Sequence, residues 1–176
     1  MYLLPALQSH FAEENFAEVR ASWDEAGFFF HFFVTGEPTV GKDRRKSDSI
    51  ELFFNTKGDD PRTFFTQFCH HFVLTPEAVH GAFFQEVTKF RTEETHPLFE
   101  EKEGMVDVKI SPGKYWMACH IPFTALHGYQ REEKSSLTFF YRINRKGASP
   151  QSLSCSHAEY DPEKTPLLWS RILCLP

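Results

Sequence analysis

The residues whose types and spacing best suggest chemistry are Cys69, His70 and His71. On a strand, Cys69 and His71 share one face two positions apart and can both reach one metal ion. A metal needs further ligands, and Cys119 and His120 in a separate apolar run could supply them. A metal-dependent enzyme built on Cys69, His71 and Cys119 is therefore one reading. The plainer expectation packs Cys69 in a core, bonds one histidine to backbone and leaves the other at the surface. Asp59 and Asp60 offer the hard oxygen ligands that Ca²⁺ prefers, but they lack the spaced ligand ladder of a dedicated loop, and Pro61 favours a capped turn.

The stretch Gly36-Glu37-Pro38-Thr39-Val40-Gly41-Lys42-Asp43 nearly matches a phosphate-cradling loop. Its last position fails, since Asp43 stands where a hydroxyl should hold Mg²⁺ and would face phosphates with like charge. A solvated connection between strands is the better reading. The chain has no Gly-x-Ser-x-Gly elbow, and its acidic pairs Glu93-Glu94, Glu100-Glu101 and Glu132-Glu133 sit in polar stretches. Neither an activated serine nor a glycosidase pair is indicated.

Binding chemistry is better served by aromatic rings that carry a polar handle: Trp116, Trp169, Tyr115 and Tyr160. Sugars present aliphatic C–H patches that stack on such rings, while neighbouring polar side chains orient the hydroxyls. Tyr115 and Trp116 alternate, so one of them must face away from the other. Trp116 shares its face with Ala118 and His120 and is the favoured exposed ring. Trp23 ends an apolar face and is expected in the core.

The elements that must position these residues are strands. Ala17, Val19, Ala21 and Trp23 alternate with Glu18, Arg20 and Ser22, a turn follows at Asp24–Gly27, and Phe28–Val34 is apolar on both faces. Ile50–Asn55, Phe64–Leu74 ending at Pro76, Val106–Ile110, Tyr115–Ile121, Leu137–Ile143 and Leu168–Leu173 continue the pattern, with Ser111-Pro112-Gly113-Lys114 as a hairpin turn. Only Pro122–Leu126 and part of Thr75–His80 look helical. Residues 1–176 therefore read as a single all-β domain, an antiparallel β-sandwich that is jelly-roll-like and immunoglobulin-like in general architecture, with little helix. The expected core includes Phe30, Phe32, Ile50, Leu52, Phe68, Phe72, Val108, Phe139 and Tyr141.

Composition narrows the partners. The chain has 20 Phe, 19 Lys plus Arg and 24 Asp plus Glu, for a net charge of −5. Such an excess of rings without polar handles must chiefly fill space between layers. No basic stripe could neutralise a phosphate backbone, so nucleic acid is not expected. No apolar run approaches a membrane span and the start lacks a leader pattern, while the four cysteines are irregularly spaced with no CxxC pair. A cytoplasmic protein with free thiols is expected.

The order of motifs also resembles a known superfamily. Ala21-Ser22-Trp23 and Gly27 precede Asp48-Ser49-Ile50-Glu51-Leu52-Phe53-Phe54-Asn55, and Tyr115-Trp116 leads later to Ile121-Pro122 and Leu126. This is similar to carbohydrate-binding modules of family nine and to DOMON-like domains. Thr56–Pro76, with Phe68-Cys69-His70-His71-Phe72-Val73-Leu74-Thr75-Pro76, together with Phe139–Ile143 and Trp169, resembles an uncharacterised bacterial branch of that superfamily. The resemblance runs from about Leu4 to Leu173. It implies a β-sandwich in which two aromatic rings clamp a saccharide, and it implies calcium in some members; no other cofactor is expected.

The expectation is thus a non-catalytic binding domain that takes a glycan by aromatic stacking on Trp116 and Trp169, assisted by Tyr115 and Tyr160. A protein-interaction domain is the alternative, with the polar segment Arg91–Gly104 as a mobile contact.

Overall fold

A computed structural model describes residues 1–7, 15–41, 47–58, 63–102, 105–130, 136–155 and 160–173. Among the described residues, eleven strands form two antiparallel sheets: β1 (Tyr2–Leu3), β2 (Ala17–Trp23), β3 (Gly27–Thr35), β4 (Ser49–Asn55), β5 (Cys69–Val79), β6 (Ala82–Glu86), β7 (Val106–Ser111), β8 (Lys114–Pro122), β9 (Ser136–Asn144), β10 (Gln151–Ser152) and β11 (Ser170–Leu173). The first sheet has the order β1-β2-β3-β8-β7, and the second β10-β9-β4-β5-β6 with β11 also paired to β9. The protein is a β-sandwich.

Alternation decides what each face meets. Phe28, Phe30, Phe32 and Val34 of β3 and Tyr115, Met117, Cys119 and Ile121 of β8 point inward, against Ile50, Leu52, Phe54, Phe72, Leu74, Phe139 and Tyr141 of the second sheet. The sheets meet ring to ring, with Phe28 5.6 Å and Phe30 6.2 Å from Phe54, and Phe30 5.4 Å from Phe139. Close packing of this kind explains the phenylalanine excess.

Several expectations change. Phe64–Leu74 does not form a strand throughout, because the chain turns at Thr66–Cys69 and β5 starts only at Cys69. Phe68 is therefore half-buried outside the sheet, its ring 5.9 Å from that of His127. Pro76 does not end the strand either: the register with β6 shifts between Leu74 and Val79, and such an irregularity spares the ladder bond a proline cannot donate. Thr75–His80 is thus strand and turn, and the only helical piece within 122–126 is a 3-10 turn at Phe123–Ala125. Val108 lies on the edge strand β7 and is only half-buried.

The β3–β8 pairing demands a close approach at Gly27, where an added Cβ would sit 2.2 Å from the Ile121 carbonyl oxygen. Gly27→Ala should lower the thermal midpoint by the equivalent of about 1–3 kcal/mol, the usual cost of forcing atoms into a packed site. An unchanged melting curve would mean the strands separate there at little cost.

Candidate functional site

Each sheet has one outward face, and the two differ. On the second sheet that face carries Glu51, Phe53, His71, Phe140 and Arg142, all but Arg142 buried. The segment 160–169 lies over it. Trp169 packs 5.5 Å from Phe53 and 5.4 Å from Phe65, Tyr160 packs edge-on to Phe140 at 6.3 Å, and Glu163 accepts a bond from Arg142 at 2.5 Å. Beneath this cover Glu51 accepts from Arg142 at 2.6 Å and from Asn144 at 2.7 Å, and pairs with His71 at 3.1 Å. Burial alone would raise the Glu51 pKa, but its bonds and charge contacts to His71 and Arg142 outweigh that and hold it at about 2.

Nothing among the described residues covers the outward face of the first sheet, hereafter the open face. Strand register places its side chains in rows: Glu18, Phe33, Trp116 and Lys109 lie abreast across β2, β3, β8 and β7. The next row is Arg20, His31, Ala118 and Asp107, and the third is Ser22, Phe29 and His120. Aromatic rings run down the middle two strands with charged groups on both flanks. Phe33 is 43% exposed, a large apolar ring left at the surface. Its centroid lies 6.5 Å from that of Trp116, which meets His31 edge-on at 5.4 Å, while Phe29 stacks flat on His120 at 4.4 Å. Lys109 Nζ lies 4.9 Å over the Trp116 ring. Glu18 and Arg20 pair at 2.5 Å with about half of each side chain exposed, so both can still reach a ligand. Desolvation, then the Arg20 charge, lowers the His31 pKa, which favours a neutral ring able to donate at one nitrogen and accept at the other.

The four rings singled out by sequence do not come together. Trp116 lies on the open face. Trp169 is only 5% exposed, under the cover of the second sheet, so its ring is not at the surface. Tyr115 points into the core, where burial and the nearby Asp48 push its pKa up. Tyr160 is half-buried, donates to the Thr165 carbonyl and accepts from Leu168 N. Trp23 is half-buried rather than enclosed: Tyr2 stacks on it at 5.5 Å beside a small recess of about 130 Å³ whose lining is apolar and offers nothing to orient hydroxyls.

The metal candidates also part company. Cys69 lies against Thr66, Nε2 of His71 pairs with Glu51, and Cys119 is on the other sheet, where burial raises its thiol pKa. Asp59 and Asp60 fall outside the described residues, as does 42–46 with the end of the phosphate-loop-like stretch. Both His70 and His71 are buried, so neither takes the surface position expected for one of them. The segment from Arg91 onward is not a loose contact strip either: His96 is buried against Glu86 and Gln67, and Phe99 N donates to Glu86. Among the described residues, His70, Glu86 and His96 are the group that converges in the manner of metal ligands.

The residues that sequence reading missed are Phe29, His31 and Phe33, which looked like one face of a doubly apolar central strand. Their signal was His31 itself, a polar residue at the centre of that face. No helix among the described residues is long and apolar enough to cross a membrane.

No protein-family model matches the chain, and no curated protein matches it. Solved structures do. A family-nine carbohydrate-binding module from Caldicellulosiruptor kristjanssonii, solved with glucose, aligns at a TM-score of 0.58 and 14% identity over 89% of this chain and 75% of that one. The same kind of module from that organism, solved with cellotriose, aligns at 0.58 and 14% over 89% and 73%. A candidate carbohydrate-binding protein from Bacteroides uniformis aligns at 0.55 and 12% over 96% and 83%. The two-sheet arrangement built here strand by strand is the fold of the family-nine carbohydrate-binding modules.

Proposed function

We propose that this protein is a non-catalytic glycan-binding domain whose contact surface is the outward face of the first sheet, with Phe33 and Trp116 as stacking rings. The observation that carries the reading is the row Glu18, Phe33, Trp116, Lys109: two adjacent rings on an uncovered face, flanked by an acid and an amine. A pyranose laid on the rings buries its C–H face, and its rim hydroxyls meet Glu18, Arg20, Asp107 and Lys109. Lys109, more than two-thirds exposed, is free to swing off Trp116 and bond a hydroxyl. The fold supports the same reading, since the Caldicellulosiruptor modules that share it were solved with glucose and cellotriose.

The test is affinity electrophoresis through soluble β-glucans, with isothermal titration of cellotriose. Trp116→Ala and Phe33→Ala should each weaken binding by at least about 1 kcal/mol, the lower bound for an anchoring aromatic, and leave the melting temperature nearly unchanged. Binding by the wild-type chain that is indifferent to both substitutions would place the glycan elsewhere.

A further inference from the structure

His70, Glu86 and His96 play no part in the open face, since they belong to the opposite sheet and the chain folded against it. His70 is the second residue of β5 and points to the side of Phe72 and Leu74, Glu86 ends β6, and His96 lies in the segment that returns past β6. Their side chains are at most 2% exposed. Nδ1 of His70 and Nε2 of His96 each lie 2.9 Å from the same carboxylate oxygen, Oε1 of Glu86.

With His96 neutral, hydrogen-bond bookkeeping at this oxygen does not close with protein groups alone: either a second proton on the ring or a bound cation must lie between the ring and the carboxylate. Nδ1 of His96 lies 2.6 Å from the Gln67 carbonyl oxygen, which can only accept, so that nitrogen carries the proton. In a neutral ring Nε2 is then a bare lone pair, aimed at a carboxylate oxygen. Two lone pairs facing each other in a dry interior repel, and a cation between them removes the conflict. Glu86 Oε1 is further claimed by the Thr88 hydroxyl at 2.7 Å and by His70, so three groups compete for an oxygen with two lone pairs. A metal ion resolves both problems, because the two imidazole nitrogens and Oε1 then turn to the ion while Thr88 and Phe99 N, 2.8 Å from Oε2, hold the carboxylate from behind. The backbone carbonyl behind His96 and the donors behind Glu86 are the supporting contacts that fix ligand orientation in metal sites.

From this geometry we infer that His70, Glu86 and His96 form a site for a divalent transition metal of the zinc class. Two imidazoles and one carboxylate suit Zn²⁺, whereas Ca²⁺ and Mg²⁺ want oxygen ligands. The three donor atoms lie within 4.8 Å of one another. Ligands around a tetrahedral zinc stand roughly 3.4 Å apart at bond lengths near 2.1 Å, so each 2.9 Å pair need open by only about 0.5 Å. The ion ties β5, β6 and the returning segment together. It is a structural site, separate from the glycan face and independent of the glycan reading.

The experiment uses the full chain, stripped with a chelator, dialysed and titrated with ZnCl₂ against a chromophoric chelator, with bound metal counted by mass spectrometry. One zinc per chain is expected, with a dissociation constant below about 1 µM. His96→Gln and Glu86→Gln should each weaken binding at least about 100-fold, whereas His80→Asn, at an exposed turn, should change nothing. Should either ligand variant fail to fold, nitrogen-15 spectra of the wild-type chain decide: excess zinc must shift the His96 Nε2 resonance away from its metal-free position while Nδ1 keeps its proton. Zinc binding equal in His96→Gln and wild type, or a His96 ring protonated at both nitrogens in excess zinc, overturns the site.

Discussion

Phe54→Ala is expected to cost about 3–5 kcal/mol of stability, enough to unfold a large share of the protein at moderate temperature. Phe54 is fully buried at the centre of the sandwich, with Phe28 at 5.6 Å, Phe30 at 6.2 Å, Phe72 at 6.0 Å and Phe139 at 5.0 Å. These neighbours are themselves rigid rings on two different sheets, so they cannot collapse into the vacated space. The cost therefore combines lost transfer energy with a persistent cavity. Urea unfolding measures it, and a loss below about 1 kcal/mol would mean the two sheets do not pack against each other at this residue.

The second large effect is electrostatic. Removing the Glu51 carboxylate by Glu51→Ala should destabilise by roughly 3 kcal/mol, because it leaves His71 without its hydrogen-bond partner and Arg142 with Glu163 alone, under cover. The same group sets an acid limit. Its folded pKa, near 2 against an ordinary 4.5, is depressed, so its contribution is complete above about 4.5 and is lost as pH falls toward 2. Wild-type stability should drop across that window, and Glu51→Ala should show a smaller drop. Identical acid profiles for the two proteins would remove Glu51 from the account.

The fold was legible because the apolar residues repeat with period two: Ala17–Trp23 matches β2 residue for residue, and β3, β4 and β8 differ from expectation only at their ends. Short strands left no such trace. Tyr2–Leu3 and Gln151–Ser152 are two residues each, and their pairing is set by partners far along the chain. The open face was half legible. Trp116 could be assigned outward from its alternation with Tyr115, but the exposure of Phe33 depends on nothing covering that sheet, and the burial of Trp169 on the segment that covers the other. Both are consequences of where the chain after β10 lies. The His70 cluster was hidden for a similar reason: the sequence pairs His71 with Cys69 on one strand face, yet the convergent partners, Glu86 and His96, come from later elements.

The central claim, that glycan binds the open face of the first sheet, is tested most directly by the indole N–H signals of the three tryptophans during a cellotriose titration. The three tryptophans lie in three distinct environments: Trp116 on the open face, Trp169 under the cover of the second sheet, and Trp23 beside the apolar recess between the sheets. Stacking on Trp116 should move its signal in a saturable way, and the signals of Trp23 and Trp169 should stay in place. A saturable shift at Trp169 or Trp23 with Trp116 unmoved, or no shift at any of the three up to millimolar sugar, would contradict it.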